Sequence, residues 1–144
     1  MGRFINEPKP YQKHWMMEKF DGNTMVERSW LEYVSPRKKQ YTKPVVILVG
    51  RWTGSMGEGV AIGFEGMKRA KIVGTKMERL AGEMNGYGFN NQNYGFRLST
   101  AKLFHVNGTP REKYVPPYLV SQSTLIKDEI LEQAIEILQQ SLEK

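Results

Sequence analysis

The stretch Pro44-Val-Val-Ile-Leu-Val-Gly50 runs directly into Arg51-Trp-Thr-Gly-Ser-Met-Gly-Glu-Gly-Val-Ala-Ile-Gly-Phe64. The first half is a continuous apolar run bounded by Pro and Gly, the pattern of a strand buried on both faces of a parallel sheet. In the second half Met56, Val60, Phe64 and Met67 recur at intervals of four, four and three, which is one face of a helix. Gly57, Gly59, Gly63 and Gly66 interrupt that helix. Each costs about 0.5 to 1 kcal/mol relative to Ala, so helicity here must come from close packing rather than propensity. Ala70-Lys-Ile-Val-Gly74 then reads as a second short strand, giving a strand, helix, strand unit and an α/β fold.

Working outward, residues 1–43 are rich in Pro, Lys and aromatic residues without a sustained period, apart from a short apolar patch at Trp30, Leu31, Tyr33 and Val34, and are expected to be an irregular segment with a short helix or strand. Residues 82–95, with four glycines and a run of Asn, read as a flexible loop. Gly95 to Val106 predicts one or two strands, closed by an Asn107-Gly108 turn. From about Thr124 to Leu142 a stripe of Ile126, Ile130, Leu131, Ala134, Ile135, Leu138 and Leu142 opposes acidic residues, an amphipathic helix whose stripe belongs in the core. With 144 residues, a single domain over 1–144 is expected, divided into the N-terminal segment 1–43, a core 44–120 and a C-terminal helix within 121–144.

Composition is that of a folding chain: 40% hydrophobic, 25% charged and 11% aromatic residues. The formal charge of +6 is uneven, because residues 121–144 carry five acids and two bases. The excess of bases over the rest is scattered, with Arg37-Lys38-Lys39 the one dense cluster, so no nucleic-acid footprint is expected. Cysteine is absent, which excludes disulfides and thiolate catalysis. His14 and His105 are the two histidines, and neither sits in a metal-ligand spacing, so no metal or other cofactor is expected. No apolar run approaches the length of about 18 residues that spans a membrane.

The strand-to-helix turn invites chemistry. A serine there projects at the carboxyl end of the sheet, where α/β folds place ligands. The amides that follow it point at the same place and stabilise negative charge, as an acyl-transfer oxyanion requires. Capping is the alternative for the same residues: Thr53 or Ser55 as N-cap, with Glu58 three residues after Ser55 completing a capping box. The stretch is not a Gly-x-Ser-x-Gly elbow, since position 53 is Thr.

Taken together, Val45-Val-Ile-Leu-Val49, Thr53-Gly-Ser-Met-Gly-Glu58, Val60-Ala-Ile-Gly63 and Arg69-Ala-Lys-Ile-Val-Gly74 resemble the catalytic domain of the tail-specific, or C-terminal-processing, serine protease family. The likeness covers about Pro44 to Val120 and is closest to the tricorn-core-like, retinoid-binding-protein-like branch. It implies a ClpP/crotonase-like α/β fold, Ser55 as nucleophile, the Met56 backbone amide as an oxyanion donor, and a polypeptide or its C-terminus as substrate. In the processing branch a lysine base lies 25 residues after the serine, and that position is Leu80 here; Lys76 stands only 21 residues on and does not inherit the role. In the tricorn-like branch the base is a histidine oriented partly by a glutamate, which Glu112 in Pro110-Arg-Glu-Lys-Tyr-Val-Pro116 matches. A surface acid paired with Arg111 or Lys113 is the plain alternative for Glu112.

The resemblance places that histidine, and a glycine-rich turn supplying a second oxyanion amide, upstream of the matched region. His14 and His105 match neither position and are expected to be ordinary surface or partly buried residues. The chain is thus expected to be the carboxyl-terminal half of a serine peptidase domain, inactive alone, with self-association through exposed sheet edges. Export of family members implies an extracytoplasmic place with the signal upstream. A non-catalytic module holding a peptide or apolar ligand is the alternative function.

Overall fold

The computed structural model describes residues 1–143. Its central unit is the one expected. β3 (Val46–Val49) leads through the serine turn into α1 (Met56–Gly66) and then β4 (Lys71–Gly74), which pairs with β3 in parallel. A two-residue β7 (Tyr118–Leu119) adds to the other edge of β4, giving the order β3-β4-β7. Alternation along β4 shows why it is the central strand. Ile72 packs with Ala61 and Ile62 of α1 on one face, and Val73 with Ala134 and Ile137 of α2 (Glu129–Leu142) on the other; both strand residues are fully buried.

Burial on both faces therefore holds for β4 but not for β3, the edge strand, whose Leu48 is 46% exposed. The C-terminal helix also begins later than its periodicity predicts, at Glu129 with Asp128 as N-cap, whose carboxylate accepts from the Leu131 amide. Only part of its apolar stripe is core. Ala134 and the unforeseen Ile137 are buried, whereas Ile126, Leu131, Ile135 and Leu142 are exposed.

The glycines of α1 act as expected, through close approach. A Cβ on Gly63 would stand 3.1 Å from the Cβ of Tyr11, and one on Gly59 would stand 3.1 Å from Gln12 Oε1. What presses against them was not foreseen. Residues 1–43 are not irregular: β1 (Lys9–Phe20) and β2 (Thr24–Val34) form a long antiparallel hairpin around Asp21-Gly22-Asn23. Asp21 and Gly22 adopt φ values of 44° and 72° there, left-handed conformations in which Gly is at home and Asp tolerated.

The expected loop at 82–95 is likewise a hairpin, β5 (Gly82–Gly88) with β6 (Gly95–Phe104), and β6 pairs with β1 to complete a sheet of order β2-β1-β6-β5. Both errors share a cause. Large parts of β2 and β5 are exposed, so their side chains lack the apolar/polar alternation that a half-buried strand imposes.

Candidate active site

Ser55 sits on the turn between β3 and α1 with φ 52° and ψ −120°. A non-glycine residue held at positive φ costs on the order of 1–3 kcal/mol and persists where its surroundings fix it. In α/β-hydrolases a strained strand-to-helix turn of this kind exposes the nucleophile. The capping alternative fails at Ser55, whose side chain makes no cap hydrogen bond. Thr53 Oγ1 accepts instead from the Gly50 amide at 3.0 Å, closing the turn on itself. Met56 is the first residue of α1, so its amide belongs to the group a helix leaves without an intrahelical acceptor.

Glu58 does not reach back to cap either. It is fully buried, and its carboxylate accepts from the Arg79 amide at 2.7 Å and the Leu80 amide at 3.2 Å, with Arg111 Nε 3.8 Å away. Arg111 donates in turn to the carbonyls of Leu80 (2.7 Å), Gly82 (3.3 Å) and Ser55 (3.5 Å). Burial draws the Arg111 guanidinium below its ordinary range, against the pull of Glu58 and Glu112. This network fixes the crossing from β4 to β5 against the serine turn, so the site's geometry is set by a buried ion pair and backbone amides.

Ser55 opens on a cavity of about 760 Å³. Met56, Leu80 and Arg111 line it from the α1 side, and Gln12, His14, Trp30, Glu32, Gly82, Glu83 and Arg97 from the four-stranded sheet. Leu80, the position 25 residues after the serine, is thus on the wall but carries no base. Glu112 lies in the 3-10 turn Arg111–Lys113 and is not among the described residues that line the cavity; its backbone carbonyl accepts from Arg79 Nε at 2.6 Å.

The two histidines are both buried, not surface residues. His105 has both ring nitrogens engaged: Nε2 meets Glu65 Oε2 at 2.5 Å, and Nδ1 accepts from the Asn107 amide at 2.9 Å. His14, 6% exposed, stacks on Trp30 with ring centroids 4.8 Å apart, and its Nε2 lies 2.9 Å from Glu32 Oε2. Burial raises the Glu32 carboxyl, but hydrogen bonds from Tyr11, His14 and Gln12 and the charge of His14 outweigh it and bring Glu32 below the usual carboxylate range.

The sequence reading named neither Gln12 nor Glu32 and took His14 as an ordinary histidine and Trp30 as part of an apolar patch, because it did not foresee their hairpin. The Asp21-Gly22 pair between two runs of strand-forming residues was the available signal, and it makes Gln12/His14 and Trp30/Glu32 neighbours on one face at a spacing of two.

The model of peptidase family S41 matches residues 6–120. No curated protein matches the chain. Among solved structures, the fold is similar to that of a putative peptidase from Parabacteroides merdae, at 19% identity and TM-score 0.75 over 95% of this chain and 45% of that one. The photosystem II D1 C-terminal processing protease follows at 16% identity and TM-score 0.64, over 95% of this chain and 33% of that one. Mature CPAF shares 21% identity at TM-score 0.56, with 75% and 21% of the two chains covered. The chain spans less than half the length of each of these structures. The strand–turn–helix unit, its Thr-x-Ser-x-x-Glu turn and a match running from the first hairpin through β7 agree, and the chain belongs to peptidase family S41.

Proposed function

We propose that the chain is the nucleophile-bearing part of a serine peptidase catalytic domain that cleaves polypeptides, with Ser55 attacking the scissile carbonyl and the Met56 amide receiving the developing oxyanion. The observation that carries this reading is the strained backbone of Ser55 beside the cavity, with a hydroxyl not spent on capping. A neutral serine is a weak nucleophile and needs a base. If the base comes from a histidine outside these 144 residues, the chain is inert alone and Glu112 serves to orient that histidine.

Labelling by a fluorophosphonate, read by intact mass and peptide mapping, tests the nucleophile. One adduct at Ser55, abolished by Ser55→Ala, is the expected result. A label that persists in Ser55→Ala overturns the assignment.

One observation favours a second reading, a peptide-binding module on the same fold: the cavity wall carries Leu80 where the processing branch has its lysine. Binding of peptides with a free C-terminus, unchanged by Ser55→Ala in a chain that takes no label, would establish the module.

A further inference from the structure

We infer that His14, held by Glu32, is the proton acceptor for Ser55, so that nucleophile and base both reside in this chain. The inference rests on the reading of Ser55 as nucleophile.

β1 runs along α1 in the opposite direction. Tyr11 lies against Gly63 and Gln12 against Gly59, one helical turn nearer the serine. From Gly59 back to Ser55 is a helical rise of about 6 Å. From Gln12 on to His14 is a strand advance of about 6.6 Å, with both side chains on the same face. His14 therefore arrives level with the serine turn, and the two residues line one cavity. The register shift between Pro10 and Gln12 marks a bulge that re-aims the strand just before this point.

The ring's surroundings suit a base. On the Nε2 side, Glu32 Oε2 of β2 accepts at 2.9 Å, and Gln12 Nε2 lies 3.1 Å from that nitrogen and 3.4 Å from the same carboxylate oxygen. A proton on Nε2 leaves Nδ1 as the nitrogen with the free lone pair. Nδ1 is buried and has no hydrogen-bond partner among the described residues; Glu83 Oε2 of β5 stands 3.2 Å away without hydrogen-bond geometry. Trp30 covers the ring face, Tyr11 donates to Glu32, and Arg97 and Arg111 are the cations on the cavity wall. His105 offers no such nitrogen, since both of its own are engaged. Resting serine–base contacts are commonly long and tighten around substrate, or pass through one water.

In the reaction, the Ser55 hydroxyl proton moves to His14 Nδ1 as the Oγ–C bond forms and the carbonyl π pair moves onto oxygen. Collapse of that oxyanion breaks the C–N bond, and the Nδ1 proton goes to the leaving amine. Water then attacks the acyl group, giving its proton to Nδ1. Release of the new carboxyl terminus returns a proton to Ser55 Oγ.

The experiment measures the rate of fluorophosphonate labelling at Ser55 in the 144-residue chain across pH, for wild type, Ser55→Ala, His14→Ala, His14→Gln and Glu32→Gln, with thermal melts of each. Expected are a wild-type rate that rises through one titration, a loss of about 100-fold or more in both His14 variants, disappearance of the pH-dependent limb, and partial rescue of His14→Ala by added imidazole. Glu32→Gln should slow labelling by a smaller factor. Labelling at Ser55 within about threefold of wild type in His14→Gln overturns His14 and leaves Ser55 standing. That holds also if His14→Ala is unfolded and unrescued. A wild-type chain that takes no label at Ser55 at any pH overturns a base within this chain, and a label that survives Ser55→Ala removes the nucleophile itself.

Discussion

The two sheets are joined through α1, which packs on β4 on one side and on β1 on the other, yet their stability has different sources. The parallel sheet β3-β4-β7 is sandwiched between α1 and α2, with Ile72 and Val73 fully buried on opposite faces. The antiparallel sheet β2-β1-β6-β5 is packed along the start of β1 and the end of β6, while its hairpins reach into solvent with Phe20, Met25, Tyr87 and Phe96 exposed. A sheet covered on both sides draws on burial, whereas a solvated hairpin relies on its ladder, its turn and cross-strand pairs such as the stacked Tyr87 and Phe96. The site draws on both: Ser55 on the turn above the packed sheet, and His14, Glu32 and Glu83 on the open one.

Substitutions of decreasing effect probe that contrast. Glu58→Ala, on the packed side, is expected to cost about 3–5 kcal/mol in chemical denaturation, because it strands the buried Arg111 and leaves the amides of Arg79 and Leu80 without their acceptor. An effect below about 1 kcal/mol, the scale of exposed pairs, would show that the Glu58 network does not hold the two sheets in register.

Gly74→Ala comes next, at about 1–3 kcal/mol. Gly74 ends β4 at φ 144°, and a Cβ there would overlap the Val49 carbonyl of β3 at 1.8 Å. A thermal midpoint unchanged from wild type would mean that the β3–β4 pairing tolerates the side chain.

The smallest effect belongs to the open sheet. Because Glu32 titrates below its ordinary value when folded, its contribution is present above the unfolded pKa near 4.5 and is lost as pH falls through the lower folded value. Acid titration of stability should therefore show a component below about pH 4.5 that Glu32→Gln removes. Superimposable acid limbs in the two proteins would sink the hydrogen-bonded account of Glu32, and with it the support for His14.

Legibility in the sequence follows the same divide. The run Pro44–Val49, the glycine-interrupted helix and Ala70–Gly74 were readable because burial on both sides forces continuous apolar strands and close helix packing. So was the nucleophile candidate, since the Thr53-Gly-Ser-Met-Gly-Glu58 spacing is local. The helix face was less so: the spacing points to Met56, which is exposed, while Glu58 and Ile62 are buried. Glu58 shows the reason. Its spacing from Ser55 reads as a capping box, but the amides of Arg79 and Leu80, more than twenty residues on, compete for the carboxylate and win in the core.

By itself, then, the sequence determined an α/β unit, its family and the serine at its centre, because these depend on local periodicity and motif spacing. Only the tertiary structure decided that residues 9–34 and 82–104 form a second sheet, that Arg111 rather than Glu112 lines the cavity, and that His14 faces it while His105 is sealed away. A turn can fix the register within one hairpin, but the pairing of β1 with β6, which joins the two hairpins into one sheet, links distant segments and leaves no local mark in the sequence.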